Sequence, residues 1–240
     1  MQVRPTTIVP GILTSAAGSA LVRMGPTQVT AAISWQIGQT TSATVGLPEQ
    51  GDVRVQIERA GGSYPASAPN YVALQSCVQR LLQDSAINWT QLSIRPGWAW
   101  RAVVSVTILN DAGSVLDAVL LSAVAALRQA KLPTDLQDRQ GKLWIRPGGT
   151  SKSLELPADV LPTSLTVGLW QNEGQPRWVV DPTATEEAAL EGTMTLVVAN
   201  NTLWGVEFHG ECIDFATHLT MLQHLAVERA KEVHSILNSE

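Results

Sequence analysis

One stretch of the sequence, residues 98–131, joins the clearest strand signal to the clearest buried-helix signal, and it constrains the fold more than any other. Apolar side chains occupy every even position of Trp98–Leu109, and this period of two is typical of a half-buried strand. Apolar residues then recur at helical spacing over Leu116–Leu127, which predicts a largely buried helix. Ser114 and Asp117 stand three positions apart and resemble a capping box that opens this helix.

The remaining patterns predict further strands and two more helices. Period-two or short apolar runs predict strands at 19–24, 27–35, 52–58, 164–169, 177–180, 193–199 and 203–208. Asn200 and Asn201 suit a type I′ turn between the last two strands. Helical spacing predicts amphipathic helices over Pro69–Asp84 and Asp214–Leu237, whereas Thr134–Leu161 reads as a long loop or a short irregular strand pair. This order predicts an α+β fold in one domain covering residues 1–240.

Composition narrows the functional classes. Charged residues make up 15% of the chain, so its surface is covered by neutral polar side chains or by a partner. The net charge of −5 argues against nucleic-acid binding through bulk positive charge, and any RNA contact is expected to be local. The two cysteines form no CxxC pair, and we expect neither a secretory signal nor a membrane span.

Taken singly, the residues that could carry chemistry give weak signals. Four residues near the C-terminus lack zinc-site spacing: His209, Cys212, His218 and His224. Gly148–Lys152 has the composition of a phosphate-binding loop without the Walker spacing, and a turn is the simpler interpretation. Glu186 and Glu187 follow Asp181 in an acidic cluster, a type that is more often solvated than catalytic. We therefore expect no metal and no cofactor.

Several segments resemble one known family. The sequence GSALVRMGPTQV at Gly18–Val29 is similar to the GSALVRLGNTxV segment of the RNase PH family, and LNDAGSVLDA at Leu109–Ala118 is similar to its LDYDGNLLDA segment. Val180–Val198 is similar to the VDPTxEEE…GTLTIV run of the non-catalytic ring subunits of the RNA exosome. LSIRPG at Leu92–Gly97 matches the family's LCIxPG segment, and the resemblance extends over Arg4–Leu237.

This resemblance implies a fold, a class of assembly and a set of partners. The implied fold is the RNase PH-like α+β unit, also described as ribosomal-protein-S5-domain-2-like. The most similar type is that of ribosomal-RNA-processing protein forty-three, whose sister forty-two and forty-five types share most of the pattern. The implied partners are other RNase PH-like ring subunits, the cap subunits and RNA in the ring channel. The implied function is support of 3′-to-5′ RNA processing in the nucleus, nucleolus and cytoplasm.

The same resemblance assigns three degenerate active-site positions. The phosphate-binding Arg of active relatives falls on Val115, and their two catalytic Asp positions fall on Glu187 and Thr193. An aliphatic side chain cannot bind phosphate, and a threonine supplies neither a charge nor an acidic proton at neutral pH. The resemblance therefore implies a chain that is not itself a nuclease.

Three arginines are the candidates for RNA contact. Arg80 keeps one of the two arginine positions that face RNA or the adjacent subunit in this type, whereas Gln83 departs from the second. Arg95 and Arg101 are the other two candidates. The competing interpretations are a solvated helix residue for Arg80 and, for the whole chain, an active phosphate-dependent exoribonuclease or an unrelated binding module on the same fold.

Overall fold

The computed structural model describes residues 3–39, 50–61, 69–172, 175–210 and 218–239. Its strands are β1 (Thr6–Pro10), β2 (Gly18–Met24), β3 (Thr27–Gln39), β4 (Asp52–Arg59), β5 (Ser93–Arg95), β6 (Trp98–Asn110), β7 (Lys131–Pro133), β8 (Leu136–Arg139), β9 (Lys142–Ile145), β10 (Ser151–Ser153), β11 (Thr163–Asn172), β12 (Gln175–Val180), β13 (Gly192–Ala199) and β14 (Thr202–Gly210). Its helices are α1 (Pro69–Gln83), α2 (Val115–Gln129), α3 (Ala184–Glu187) and α4 (Leu219–Asn238).

The strands form two principal sheets. The first has the order β1-β2-β3-β6-β4, in which β4 runs parallel to β6 and the other neighbours are antiparallel, and β5 adds to β6. The second is antiparallel with the order β12-β11-β13-β14. Two short pairs, β7 with β10 and β8 with β9, lie between α2 and β11 in the sequence. The architecture is α+β.

Helix α2 links the two sheets through its apolar surface. Every residue from Asp117 to Leu127 is buried, which is the pattern of a helix covered on several sides. It contacts β2 and β3 of the first sheet and β11 of the second, whereas α1 packs on β4 and α4 packs on β11 and β13. The larger core therefore lies between α2 and the first sheet, and a second core lies between α4 and the second sheet.

Most of the predicted elements are confirmed. The hairpin of β2 and β3, the strands β4 and β6, and the helices α1 and α2 lie where the patterns placed them. Asn200 and Asn201 have φ values of 52° and 56°, as a type I′ turn requires. The start predicted at Asp214 for the last helix lies outside the described residues.

Two predictions need correction. Ser114 makes no side-chain capping hydrogen bond: its backbone is left-handed, with φ 50° and ψ 43°, and its hydroxyl donates to Pro182 O at 3.1 Å. A capping box is present at a different helix, α3, where Thr183 and Glu186 form it. The apolar face predicted for Trp98–Leu109 is not buried along its whole length, since Trp100 is buried whereas Trp98 lines a surface cleft. No helix in the described part of the chain is long and apolar enough to cross a membrane.

Candidate functional site

The segment that links β6 to α2 lies directly against the segment that follows β12. We call residues 111–114 and 181–187, with Arg4, the α2 junction. At Gly113, which has a φ of +99°, an added Cβ would lie 2.4 Å from Pro182 O and 2.5 Å from Ala184 N. The backbones touch because this position lacks a side chain. Ala184 N donates to Ala112 O at 3.0 Å and closes the contact.

Arg4 forms hydrogen bonds with both segments of the α2 junction. Its backbone N and Nε donate to Asp181 Oδ2 at 2.8 and 2.9 Å, and its Nη2 donates to Asp181 Oδ1 at 2.5 Å. The remaining guanidinium hydrogens reach Ala112 O at 3.0 Å, Gly113 O at 3.1 Å and Thr27 Oγ1 at 3.3 Å. The Asp181 side chain is only 1% exposed, so this is a buried, multiply hydrogen-bonded ion pair.

The side chain of Glu187, from α3, reaches the start of α2. Its Oε1 accepts a hydrogen bond from Ser114 N at 2.7 Å, and a carboxylate is favoured there by the positive end of the helix dipole. Burial raises the pKa of Glu187, and the hydrogen bond from Ser114 opposes that rise. The backbone amide that could bind an anion at this helix start therefore binds the chain's own carboxylate.

The other two positions that the resemblance predicts to be degenerate lie on separate elements. Val115 is the first residue of α2 and packs partly buried against the larger core, so it contributes an apolar surface and no charge. Thr193 lies in β13 between Gly168 of β11 and His209 of β14. In the described part of the chain, no group of three or more His, Cys, Asp or Glu residues is close enough to hold a metal ion.

Asp117 is a buried acid that sequence reasoning assigned to the wrong role. It faces the second sheet rather than the helix start, and its Oδ2 accepts from Thr166 N at 2.7 Å. Burial raises its pKa to about 6, against the opposing effects of Ser164 and Thr166. Its other carboxyl oxygen has no hydrogen-bond partner of normal geometry. The available signal was an acidic residue inside an otherwise apolar helical stripe.

The structure brings two of the three candidate arginines together. Arg80 and Arg101, with the exposed Arg54, line a groove of about 700 Å³ beside α1 and β4. Arg101 donates from Nε to both carboxylate oxygens of Asp52 at 2.9 and 2.8 Å, and Arg80 pairs with Glu207 of β14. Arg95 is not part of this groove, because it pairs with Asp138 at 2.6 Å and lies over the Trp98 ring.

Three glutamines of α1 explain why the groove has this form. Gln75, Gln79 and Gln83 lie four residues apart, and their Oε1 atoms accept from the backbone amides of Ile57, Val55 and Val53 at 3.1–3.3 Å. Strand β4 is the edge of the first sheet, and these side chains satisfy its outward amides. Gln83, which departs from the arginine of similar subunits, therefore has a structural partner.

Comparison with known proteins places the chain in a family. Residues 2–133 match the family model described as 3′ exoribonuclease family, domain 1. The exosome complex component Rrp42 of Archaeoglobus fulgidus is 31% identical over 202 residues, which cover 81% of this chain and 71% of that protein. The Rrp42 of Pyrococcus furiosus is 30% identical over 201 residues, which cover 80% of this chain and 69% of that protein.

Solved structures agree over nearly the whole chain. An archaeal exosome core chain has a TM-score of 0.77 at 25% identity and covers 99% of this chain and 87% of its own. A chain of the Archaeoglobus fulgidus exosome with RNA bound to the active site has a TM-score of 0.77 at 26% identity, with 98% of this chain and 88% of that chain covered. Rice Rrp46 shares the fold at a TM-score of 0.69 and 19% identity, covering 99% of this chain and 94% of its own.

Proposed function

The chain belongs to the RNase PH family of 3′ exoribonucleases, and from this premise we propose that it is a non-catalytic structural subunit of an RNA exosome core ring. In this role it supports 3′-to-5′ RNA processing and degradation by shaping the ring and its RNA channel. The observation that carries the proposal is the α2 junction, where Glu187 holds the Ser114 amide next to the apolar Val115.

The absence of catalysis follows from the chemistry of phosphorolysis. The reaction needs a site for inorganic phosphate beside the scissile bond, built from helix amides and a bidentate arginine, and a carboxylate pair that acts as acid or holds a metal. Here the helix amide of Ser114 is bound internally, and Arg4 is engaged with Asp181. Thr193 adds no charge. Each lost electrostatic contribution is worth about 3–4 kcal/mol of transition-state stabilisation, and together these losses remove the reaction.

The partners are the other RNase PH-like ring subunits, the cap subunits and RNA in the channel. A charged fraction of 15% supports extensive burial of this surface by neighbours. For RNA, the groove carries Arg54, Arg80 and Arg101 on one side of the molecule, together with Asp52 and Asp84. Arg95 is the weaker candidate because it lies outside this groove; its charge is paired with Asp138, as those of Arg80 and Arg101 are with Glu207 and Asp52.

The finer assignment extends this proposal. The chain would take the ring position of ribosomal-RNA-processing protein forty-three, a sister of the Rrp42 type to which the archaeal relatives belong. It would act as one domain over residues 1–240 and serve ribosomal-RNA processing in the nucleus, nucleolus and cytoplasm. The motif resemblance of Val180–Val198 supports this position.

Purification through a tag on this chain, followed by native mass spectrometry, tests the assembly. We expect a multi-subunit ring that contains other RNase PH-like chains, and the neighbours identified there decide between the forty-three and forty-two positions. A lone monomer or a homo-oligomer would contradict the proposal.

Activity assays on the same assembled ring test the proposal that this chain is not catalytic. RNA turnover by the assembled complex should be unchanged by Glu187→Ala, since Glu187 serves the α2 junction and has no partner Asp. The isolated chain should release no nucleoside diphosphates from RNA in the presence of phosphate. Loss of turnover in a ring of normal composition would assign Glu187 a catalytic role.

A further inference from the structure

Positive charge is concentrated in one segment of an otherwise acidic chain. Residues 131–152 contain five basic and two acidic residues, whereas the whole chain has 16 basic and 21 acidic residues. The segment comprises β7, the hairpin of β8 and β9, and β10. Its basic excess is a local feature that the net charge of the chain conceals, and local basic clusters attract polyanions.

The hairpin of β8 and β9 also presents apolar side chains to solvent. Trp144 is 57% exposed and Ile145 is 40% exposed, the first being the most exposed large hydrophobic side chain of the described residues. Neither belongs to the two cores. Gln140 and Gly141 form the turn of the hairpin, with φ values of 54° and 79°. These angles suit a two-residue turn between paired strands. An exposed tryptophan at this position is not required by packing.

A cleft of about 480 Å³ separates this hairpin from the end of the first sheet. We call it the tryptophan cleft, and its lining residues are Ile37, Gln39, Trp98 and 140–144. Among these described lining residues Lys142 is the cation and none is acidic. The cleft therefore offers two indole surfaces, amide side chains and one positive charge.

The nearby acidic groups are already paired. Asp138 accepts from Arg95 at 2.6 Å and from Gly141 N at 2.9 Å. The Arg95 guanidinium lies 5.8 Å from the centre of the Trp98 ring, within the range of a cation–π contact. Asp135 faces Arg146 at 3.6 Å. The two acidic residues of the segment are thus paired locally, and Lys142 is the cation that lines the cleft.

We propose that the tryptophan cleft binds single-stranded RNA outside the arginine groove, with a base stacked on Trp144 and a phosphate beside Lys142. Sequence-tolerant binding of single strands combines aromatic stacking surfaces with cations along the backbone. An acidic peptide would use Lys142 but not the indole faces, and a duplex keeps its bases stacked internally. The site depends on the proposed function only in the choice of RNA over single-stranded DNA.

Fluorescence anisotropy with the full-length chain tests this site directly. The probe is a labelled oligoadenylate of about eight nucleotides, within the usual range of single-strand sites. We expect Trp144→Ala to weaken binding by about fivefold to a hundredfold, the effect of losing one stacked base. Trp144→Phe should retain most of the affinity. Lys142→Glu should weaken binding and reduce its dependence on salt.

The matched control is Trp204→Ala. Trp204 is 38% exposed on β14 and lies outside the lining of the cleft, so its loss should leave the affinity unchanged. Equal effects of Trp144→Ala and Trp204→Ala would overturn the proposal. Equally tight binding of polyglutamate or of a duplex RNA of the same length would overturn it too, because neither ligand offers an unstacked base.

Assembly separates this inference from the proposed function. Trp144→Ala should enter the ring at the normal level in native mass spectrometry. Failure of RNA binding by a chain that assembles normally would overturn the cleft and leave the ring subunit intact. If the chain fails to assemble but binds RNA in a Trp144-dependent way, the ring-subunit proposal is overturned and the cleft stands.

Discussion

The α2 junction and the tryptophan cleft both contain groups that attract anions. Only at the α2 junction does the chain itself supply the anion. At the junction the anion is the Glu187 carboxylate, held by Ser114 N at 2.7 Å and by tight backbone contacts around Gly113. At the cleft the cation Lys142 and the exposed Trp144 have no such internal occupant among the lining residues. The difference separates an anion site that the chain fills with its own carboxylate from a surface whose lining residues leave it open for the proposed ligand.

The largest expected difference between the two regions concerns their glycines. Gly113→Ala places a Cβ 2.4 Å from a carbonyl oxygen at a φ of +99°, and neither backbone can withdraw without opening the junction. We expect the free energy of unfolding to fall by about 4 kcal/mol or more. Gly141→Ala has open space around the added Cβ at a φ of +79° and should cost about 1 kcal/mol from backbone strain alone.

Urea denaturation of the two variants measures this difference. Equal losses would mean that the contact of residues 113 and 182 does not hold the junction together. A much larger loss in Gly113→Ala than in Gly141→Ala, with unchanged slope against denaturant, would locate the cost in the folded state.

The next effect concerns the ion pair that closes the junction. Arg4→Met leaves Asp181 buried without its partner, and such a loss costs about 3–5 kcal/mol. Asp181→Asn should cost less, because asparagine tolerates the φ of 54° at this position and still accepts a hydrogen bond from Arg4. Arg101→Met removes an exposed pair with Asp52 and should change stability by less than about 1 kcal/mol.

A double-mutant cycle over residues 4 and 181 gives the coupling within the buried pair. Thermal or urea unfolding of the four proteins is sufficient. A coupling as small as that of the Arg101–Asp52 pair would show that the junction is no better protected from solvent than the surface.

Asp117 supplies a pH-dependent effect. Its folded pKa of about 6 exceeds the ordinary value of 3.8, so the folded chain binds the proton more tightly than the unfolded chain. Stability from this group is present below pH 3.8 and is lost as the pH rises to about 6. A shift of this size corresponds to about 3 kcal/mol at neutral pH.

The variant Asp117→Asn removes that dependence and keeps an acceptor for Thr166 N. We expect the stability of the variant relative to the natural chain to increase as the pH rises from 4 to 7. Urea unfolding of both proteins at each pH measures this difference. Parallel stability curves would place the titration of Asp117 elsewhere. Asp84→Asn at an exposed position provides the control for a general charge effect.

Local patterns were enough to predict the elements that make the frame of the molecule. The period of two over β6 and the apolar stripe of α2 can be read locally, because the buried positions of a strand or helix repeat at the period of that element. The motif resemblance located Val115, Glu187 and Thr193, but not the hydrogen bond from Ser114 to Glu187, which joins residues 73 positions apart.

Other features could not be predicted because their cause is tertiary. Arg4 and Asp181 are 177 residues apart in sequence, and no local signal relates them. Asp117 has the spacing of a capping residue from Ser114, yet the second sheet offers the Thr166 amide and outcompetes the helix start. Trp98 shares the apolar face of Trp100, but it lies at the end of β6 where that face reaches solvent.

The smallest expected effect tests whether the junction is closed by more than one carboxylate. Glu187→Gln keeps an oxygen for Ser114 N and removes a half-buried charge at the start of α2, so stability should change by about 1 kcal/mol or less. Inorganic phosphate should not raise the melting temperature of this variant, because Val115 supplies no cation and Arg4 remains paired with Asp181. Differential scanning fluorimetry with phosphate, and with chloride at equal ionic strength, measures both. A rise with phosphate alone would show that Glu187 is the one group that keeps an anion from the start of α2, and the junction would then differ from the cleft only in its present occupant.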